Sequence, residues 1–190
     1  MNLVEMDAAL FEAIYGIDSI PVWLSAGVTH LATKGVVLIL ATLVLLVFGR
    51  GMARRTGVAL LCGLILHVLL IEGVLKHLVA RIRPWKTLGV VLRDGLLNPD
   101  SYSHPSGHAV AAFLCAWVLG YRYPGWRFPM LGVAVLIALS RVHLGAHYPL
   151  DVTAGAMFGV AGGILLIHGF GLEPAGAESE GGKLEMESAE

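Results

Sequence analysis

Three short clusters hold most of the residues able to do chemistry in this chain. They are Lys76 with Arg83-Pro84, then Pro105-Ser106-Gly107-His108, then Ser140-Arg141 with His147 and Asp151. Together they supply three fixed cations, two imidazoles, one carboxylate and a glycine-containing turn. A mobile lysine charge and forked arginine donors suit an anion with several oxygens. Pro105-Ser106-Gly107 has the form of a helix start, where proline is favoured and free N–H groups attract an anion. Gly107 lets the backbone come close to that anion, and Ser106 adds a hydroxyl donor. His147 and Asp151 are four apart, and Pro149 places Asp151 in a first helical turn, where a carboxylate is favourable. A carboxylate bonded to one imidazole nitrogen fixes the tautomer and leaves the other nitrogen free to attack. This is an inventory for binding and cleaving a phosphate ester.

Each cluster taken singly has an ordinary alternative. Lys76 and Arg83 fit span-end residues whose charges snorkel to water, and Glu72, one turn before Lys76, can simply pair with it. The tetrapeptide fits a plain helix start with an interfacial histidine. His147 and Asp151 fit a tie between a loop and a helix. By periodicity alone, His143 competes with His147.

The elements that must position these groups are apolar. Of 190 residues, 56% are hydrophobic and 14% charged, against about a quarter charged in a soluble domain. The membrane class follows. Five candidate spans are predicted: 35–49, 57–80, 106–121, 127–143 and 149–170. Several fall short of the ~20 residues that cross a bilayer, so flanking residues are expected to add a turn or two of helix. Residues 1–33 form an amphipathic, interfacial segment: Leu10, Phe11, Ile14 and Tyr15 share a helix face, and Glu5, Asp7 and Glu12 interrupt the rest. Residues 173–190 read as a disordered acidic tail, and 34–172 as the membrane domain between. Pro84 disfavours helix at Arg83, so the chain is expected to break away there.

Antiparallel consecutive spans put the 76–108 link and the 141–151 link on one side of the bilayer, so the three clusters can converge. The opposite links carry Arg50, Arg54, Arg55, Arg122 and Arg127. The positive-inside rule then places the clusters on the extracytoplasmic face. The net charge of −1 and the absence of a basic stripe give no reason to propose nucleic acid. Cys62 and Cys115 lie in apolar runs as inert thiols, and no Cys/His spacing suggests zinc. No basic n-region precedes Lys34, which argues against a signal peptide.

Read together, the clusters resemble the three signature motifs of the type 2 phosphatidic acid phosphatase superfamily, which also includes vanadium haloperoxidases. Lys76, six residues and Arg83-Pro84 match the first motif; Pro105-Ser106-Gly107-His108 match the second. Ser140-Arg141, five residues, His147, three residues and Asp151 match the third. The resemblance implies an all-α polytopic membrane bundle of about five transmembrane helices with an N-terminal interfacial helix. It implies His147 as nucleophile forming a phosphohistidine, Asp151 as the group orienting it, and His108 as general acid and then base. Lys76, Arg83, Ser106, Gly107 and Arg141 would bind the phosphate oxygens. No metal or other cofactor is implied, and His143 falls at a variable position outside the catalytic set.

The resemblance further implies a lipid phosphate phosphatase of the bacterial cytoplasmic membrane, with undecaprenyl diphosphate the first expected substrate. Phosphatidylglycerol phosphate, phosphatidic acid and lipid A phosphate are the alternatives. A haloperoxidase would be soluble and much larger. A non-enzymatic lipid phosphate carrier would need the cations but not the His147–Asp151 pair.

Overall fold

Asn2 starts the first helix through a reciprocal cap. Its side-chain oxygen accepts from the Glu5 N–H at 2.9 Å, and the Glu5 carboxylate accepts from the Asn2 N–H at 2.9 Å. The helix, α1 (Leu3–Tyr15), ends at Gly16. Its inward face carries Phe11 and, unexpectedly, Asp7, both buried. The sequence pattern placed Asp7 on the polar side; a buried carboxylate is tolerable only with charged or N–H partners, and it has them. Leu3, Val4 and Leu10 face outward.

The computed structural model describes residues 2–32, 36–93 and 102–176, and every regular element among them is helical. After Pro21 comes α2 (Val22–Ala32), then α3 (Val36–Val47) and α4 (Met52–Leu66). α4 runs on through a π-helical stretch, His67–Leu75, into α5 (Lys76–Val79). A short α6 (Pro84–Thr87) follows, then α7 (Gly107–Arg122), α8 (Arg127–His143) and α9 (Pro149–Gly169).

Among the described residues, three helical stretches are long and apolar enough to cross a membrane: Met52–Thr87, Pro124–His143 and Pro149–Gly169. The two other predicted spans stay short, α3 with 12 residues and α7 with 16. Flanking residues do not extend α7, because Ser106 is extended at one end and Tyr123-Pro124 turns the chain at the other. Lys34 and most of the predicted acidic tail, from residue 177 on, lie outside the described residues. Residues 173–176 fold back instead, with the Ala175 N–H bonded to the Arg122 carbonyl at 2.8 Å.

α7 is the central helix. Ala109, Ala112 and Ala116 line its buried faces, Ala134 and Ala138 lie inside on α8, and Gly155 and Gly159 on α9. Helices in lipid gain no hydrophobic drive between them, so small residues that permit close backbone approach do the packing. Large apolar side chains point outward, among them Leu136 and Leu165. One buried cluster joins Leu60, Leu114, Val118 and Leu166. A second, around Phe11, Val142, Tyr148 and Val152, lies beneath the link between α8 and α9.

Candidate active site

α5 and the segment after it deliver the first cluster. Lys76 is buried and its Nζ donates to Glu72 Oε2 at 2.8 Å, the pairing that i,i+4 spacing allows. The helix ends at Ala80, which takes left-handed angles (φ 49°, ψ 32°). From there to Arg83 the chain is outside any helix, and Pro84 opens α6. In extended backbone, residues two apart share a face. Arg81 and Arg83 accordingly both turn toward the α8–α9 link, while Ile82 between them is exposed. Arg83 Nη1 donates to the Ala146 carbonyl at 2.9 Å and lies 3.1 Å from His147 Nε2.

The second cluster opens α7 as its composition predicts. Ser106 is the extended residue before the helix, fully buried, and its Oγ has no hydrogen-bond partner among the described residues. Its N–H donates to the Asp151 carbonyl oxygen at 3.0 Å, tying the start of α7 to that of α9. Gly107 is needed for close approach. A Cβ there would stand 2.0 Å from Glu72 Oε1 and 3.1 Å from His67 Nε2. The Glu72 carboxylate therefore rests against the helix N-terminus, where an anion is favoured. Half-buried His108 follows in the first turn, within electrostatic reach of His147, Arg141, Lys76 and Arg83.

The third cluster spans the end of α8, a tight link and the start of α9. Arg141 is buried in the last turn of α8, and its carbonyl accepts from the N–H groups of Ala146 and His147 at 3.1 and 3.2 Å. His147 is 1% exposed. Its Nδ1 lies 2.8 Å from the Ser103 carbonyl, which can only accept. The proton therefore sits on Nδ1, and Nε2 holds its lone pair toward Arg83.

Asp151 Oδ2 stands 3.7 Å from His147 Nδ1, at ion-pairing rather than hydrogen-bonding distance. The direct bond between carboxylate and imidazole expected from the sequence is replaced by the Ser103 carbonyl, with the carboxylate alongside. Asp151 accepts instead from Arg81 Nη1 at 2.8 Å and from the Tyr148 N–H at 2.9 Å, and its Oδ1 lies 3.1 Å from His104 Nδ1. Burial pushes the His147 imidazole down to about 3; Asp151 pulls the other way, while the Arg83 and Arg141 charges reinforce the burial. The ring is neutral at physiological pH, the form a nitrogen nucleophile requires.

All eight predicted residues lie at one end of the bundle. His147, Arg83 and Asp151 adjoin one another, Lys76 and Arg141 add charge beside them, and Ser106 and Gly107 form the adjoining helix start. Sequence reasoning missed the Ser103 carbonyl, His104, Arg81 and Asp7. Only Arg81 carried a usable signal, being two residues before Arg83 on a segment that Pro84 keeps extended. His143 and Ser140, close by in sequence, face elsewhere. The His143 ring bonds Ser25 at 2.9 Å and the Ile17 carbonyl at 3.1 Å, and Ser140 bonds Thr29 at 2.7 Å. Both brace α2 against α8. Among the described residues, no three His, Cys, Asp or Glu side chains gather as a metal site would require. The arrangement suits a tetrahedral oxyanion held by cations and a helix start, with a neutral imidazole nitrogen beside it.

Comparison with known proteins gives a consistent family. The model of the PAP2 superfamily matches residues 56–173. An undecaprenyl-diphosphatase of Sulfolobus acidocaldarius is 38% identical over 122 residues, 62% of this chain and 56% of its own length. The chain spans about half the length, or less, of the first curated relatives it matches. The crystal structure of Aquifex aeolicus LpxE superposes with a TM-score of 0.70 at 30% identity, covering 85% of this chain and 94% of that one. A transmembrane PAP2 type phosphatidylglycerolphosphate phosphatase from Bacillus subtilis superposes with a TM-score of 0.68 at 27% identity, covering 87% and 85%.

Proposed function

The chain belongs to the PAP2 superfamily and is an integral membrane protein, and from that premise we propose that it is a lipid phosphate phosphatase working through a phosphohistidine. One observation carries the reading: His147, its Nδ1 held by the Ser103 carbonyl, turns an unprotonated Nε2 to within 3.1 Å of an Arg83 donor. A phosphoryl group held by Arg83 would sit within reach of that nitrogen. His147 Nε2 attacks phosphorus, the bond to the lipid oxygen breaks, and His108 gives that oxygen a proton. His108 then takes a proton from water, whose oxygen attacks phosphorus, releasing inorganic phosphate and freeing His147. Lys76, Arg83 and Arg141 supply charge where it develops on the phosphoryl oxygens, with Ser106 and the N–H groups at Gly107 as further donors. Asp151 steadies the imidazolium character that grows on His147 during attack.

For substrate, undecaprenyl diphosphate is the first choice, supported by the Sulfolobus relative. A phosphatidylglycerol phosphate or phosphatidic acid substrate is the second, supported by the Bacillus structure, with lipid A phosphate after it. Purified protein should release phosphate from a polyprenyl diphosphate at least tenfold faster, in kcat/KM, than from glycerophospholipid phosphates, a preference of about 1.4 kcal/mol. The reverse order selects the second reading. Activity should persist in EDTA, and its loss on chelation would exclude the metal-free mechanism.

The extracytoplasmic face is supported by Arg50, Arg54 and Arg55 at the opposite end of the bundle. A cysteine placed at Gly89 should react with a membrane-impermeant maleimide in intact cells, while one at Gly51 should not. The opposite labelling pattern puts the site inside.

A further inference from the structure

Asp7 is 1% exposed although it sits near the chain start, on a helix whose outer side is open. Its Oδ2 accepts from Arg81 Nη2 at 2.5 Å, and its Oδ1 from the Leu150 N–H at 2.8 Å. Leu150 is part of the His147–Asp151 segment, and Arg81 lies against it. The other terminal nitrogen of Arg81 donates to Asp151 Oδ1 at 2.8 Å. The same guanidinium lies 4.0 Å above the ring of Tyr148, and that ring packs on Phe11 of α1 at 5.5 Å. One helical face, Asp7 and Phe11 at i,i+4, thus grips Arg81 and two residues that follow His147, Tyr148 and Leu150.

We propose that Asp7 is a positioning residue for the His147–Asp151 pair, acting through Arg81 and through the first turn of α9. The physical case is the sharing of one cation between two carboxylates. A guanidinium can bind one carboxylate with both terminal nitrogens. Here Asp7 holds one of those nitrogens, so Asp151 receives only the other. Asp151 Oδ2 is left to accept from the Tyr148 N–H and to stand 3.7 Å from His147. Without Asp7, the whole fork becomes available to Asp151 and draws its carboxylate away from the imidazole. Leu150 loses its acceptor at the same time, at the turn that sets where Asp151 begins. The N-terminal helix is therefore part of the active centre and not only a membrane rest.

This inference rests on the reading of His147 as nucleophile, and the test separates the two. Full-length wild type, Asp7→Asn, Arg81→Gln, the double variant and Asp7→Glu are compared on the best lipid phosphate. Active sites are counted by trapped phosphoenzyme, and folding is followed by thermal unfolding. Asp7→Asn should lower kcat per active site about ten- to a hundredfold, the usual effect of removing a group that orients a catalytic one. KM should stay within about twofold, since Asp7 touches no phosphate-binding residue. The double variant should be no worse than the poorer single, and Asp7→Glu should recover part of the loss. Additive losses, or an unchanged kcat per counted site with only a lower melting temperature, would overturn the proposal. If wild type cleaves no lipid phosphate, the phosphatase reading fails, and ¹⁵N shifts of His147 carry the test without turnover. A His147 Nδ1 shift that moves in Asp7→Asn supports the proposal; an identical shift rejects it.

Discussion

His147→Ala should abolish lipid phosphate hydrolysis and remove every trace of trapped phosphoenzyme. Loss of a nucleophile or its base in a covalent mechanism costs on the order of 10⁴ to 10⁶ in rate. The expectation is large here because His108 is assigned to proton transfer and the two other histidines near His147 are held by other partners. His143, the nearest histidine in sequence, is held by Ser25 and the Ile17 carbonyl against α2. His104 is turned onto Asp151 Oδ1. The side chain is also buried, so its removal strands the Ser103 carbonyl, and thermal unfolding must be measured alongside. Residual turnover above about one per cent of wild type, in protein that remains folded, would be too much for a site without its nucleophile. That result would move the covalent step to another group.

Gly155→Ala is also expected to be damaging, although Gly155 lies a full turn from the chemistry. A Cβ at that position would stand 2.6 Å from the Ser106 carbonyl oxygen and 2.8 Å from Ala109 Cβ. The carbonyl is backbone and cannot swing aside, so α7 and α9 must separate. Separation stretches the bond from the Ser106 N–H to the Asp151 carbonyl, which joins the start of α7 to the start of α9. Overpacking of this kind costs about 1–3 kcal/mol of stability. A misplacement of about 1 Å between catalytic groups costs about a hundredfold in rate. Turnover should therefore fall about a hundredfold, with a lowered melting temperature. Gly169→Ala, at the far end of the same helix, has nothing within 4 Å of the new Cβ and serves as the control. Equal activity in the two variants would show that α7 and α9 can part without disturbing the site.

The span pattern and the site were legible for different reasons. Apolar runs and proline positions define helices locally, which is why α8 begins at Arg127 and α9 at Pro149 as read from the sequence. α9 shows the same economy at its start. Pro149 at the first position and Asp151 in the first turn are local signals, and the carboxylate does cap its own helix at the Tyr148 N–H. The break before Pro84 was equally local, although it falls at Ala80, three residues before Arg83. Less legible was anything that depends on a partner far along the chain. Asp7 read as a polar interruption because its partners, Arg81 and Leu150, lie 74 and 143 residues away. Glu72 read correctly as a mate for Lys76, but its second contact, against Gly107, needed α7 beside the π-helical stretch.

By itself, the sequence determined the family motifs, the residues that make them up and the end of the bundle where they gather. Those follow from residue type, spacing and antiparallel helices, all of which are local or topological. The tertiary structure alone decided how the pair is wired. It gave His147 Nδ1 to the Ser103 carbonyl, set Asp151 3.7 Å away, and filled the carboxylate's remaining positions with Arg81, Tyr148 and His104. The physical reason is that a buried carboxylate or imidazole must satisfy its polar atoms with whatever the fold brings within about 3 Å. Which groups those are depends on how helices distant in sequence pack, and residue spacing along one chain carries no record of it.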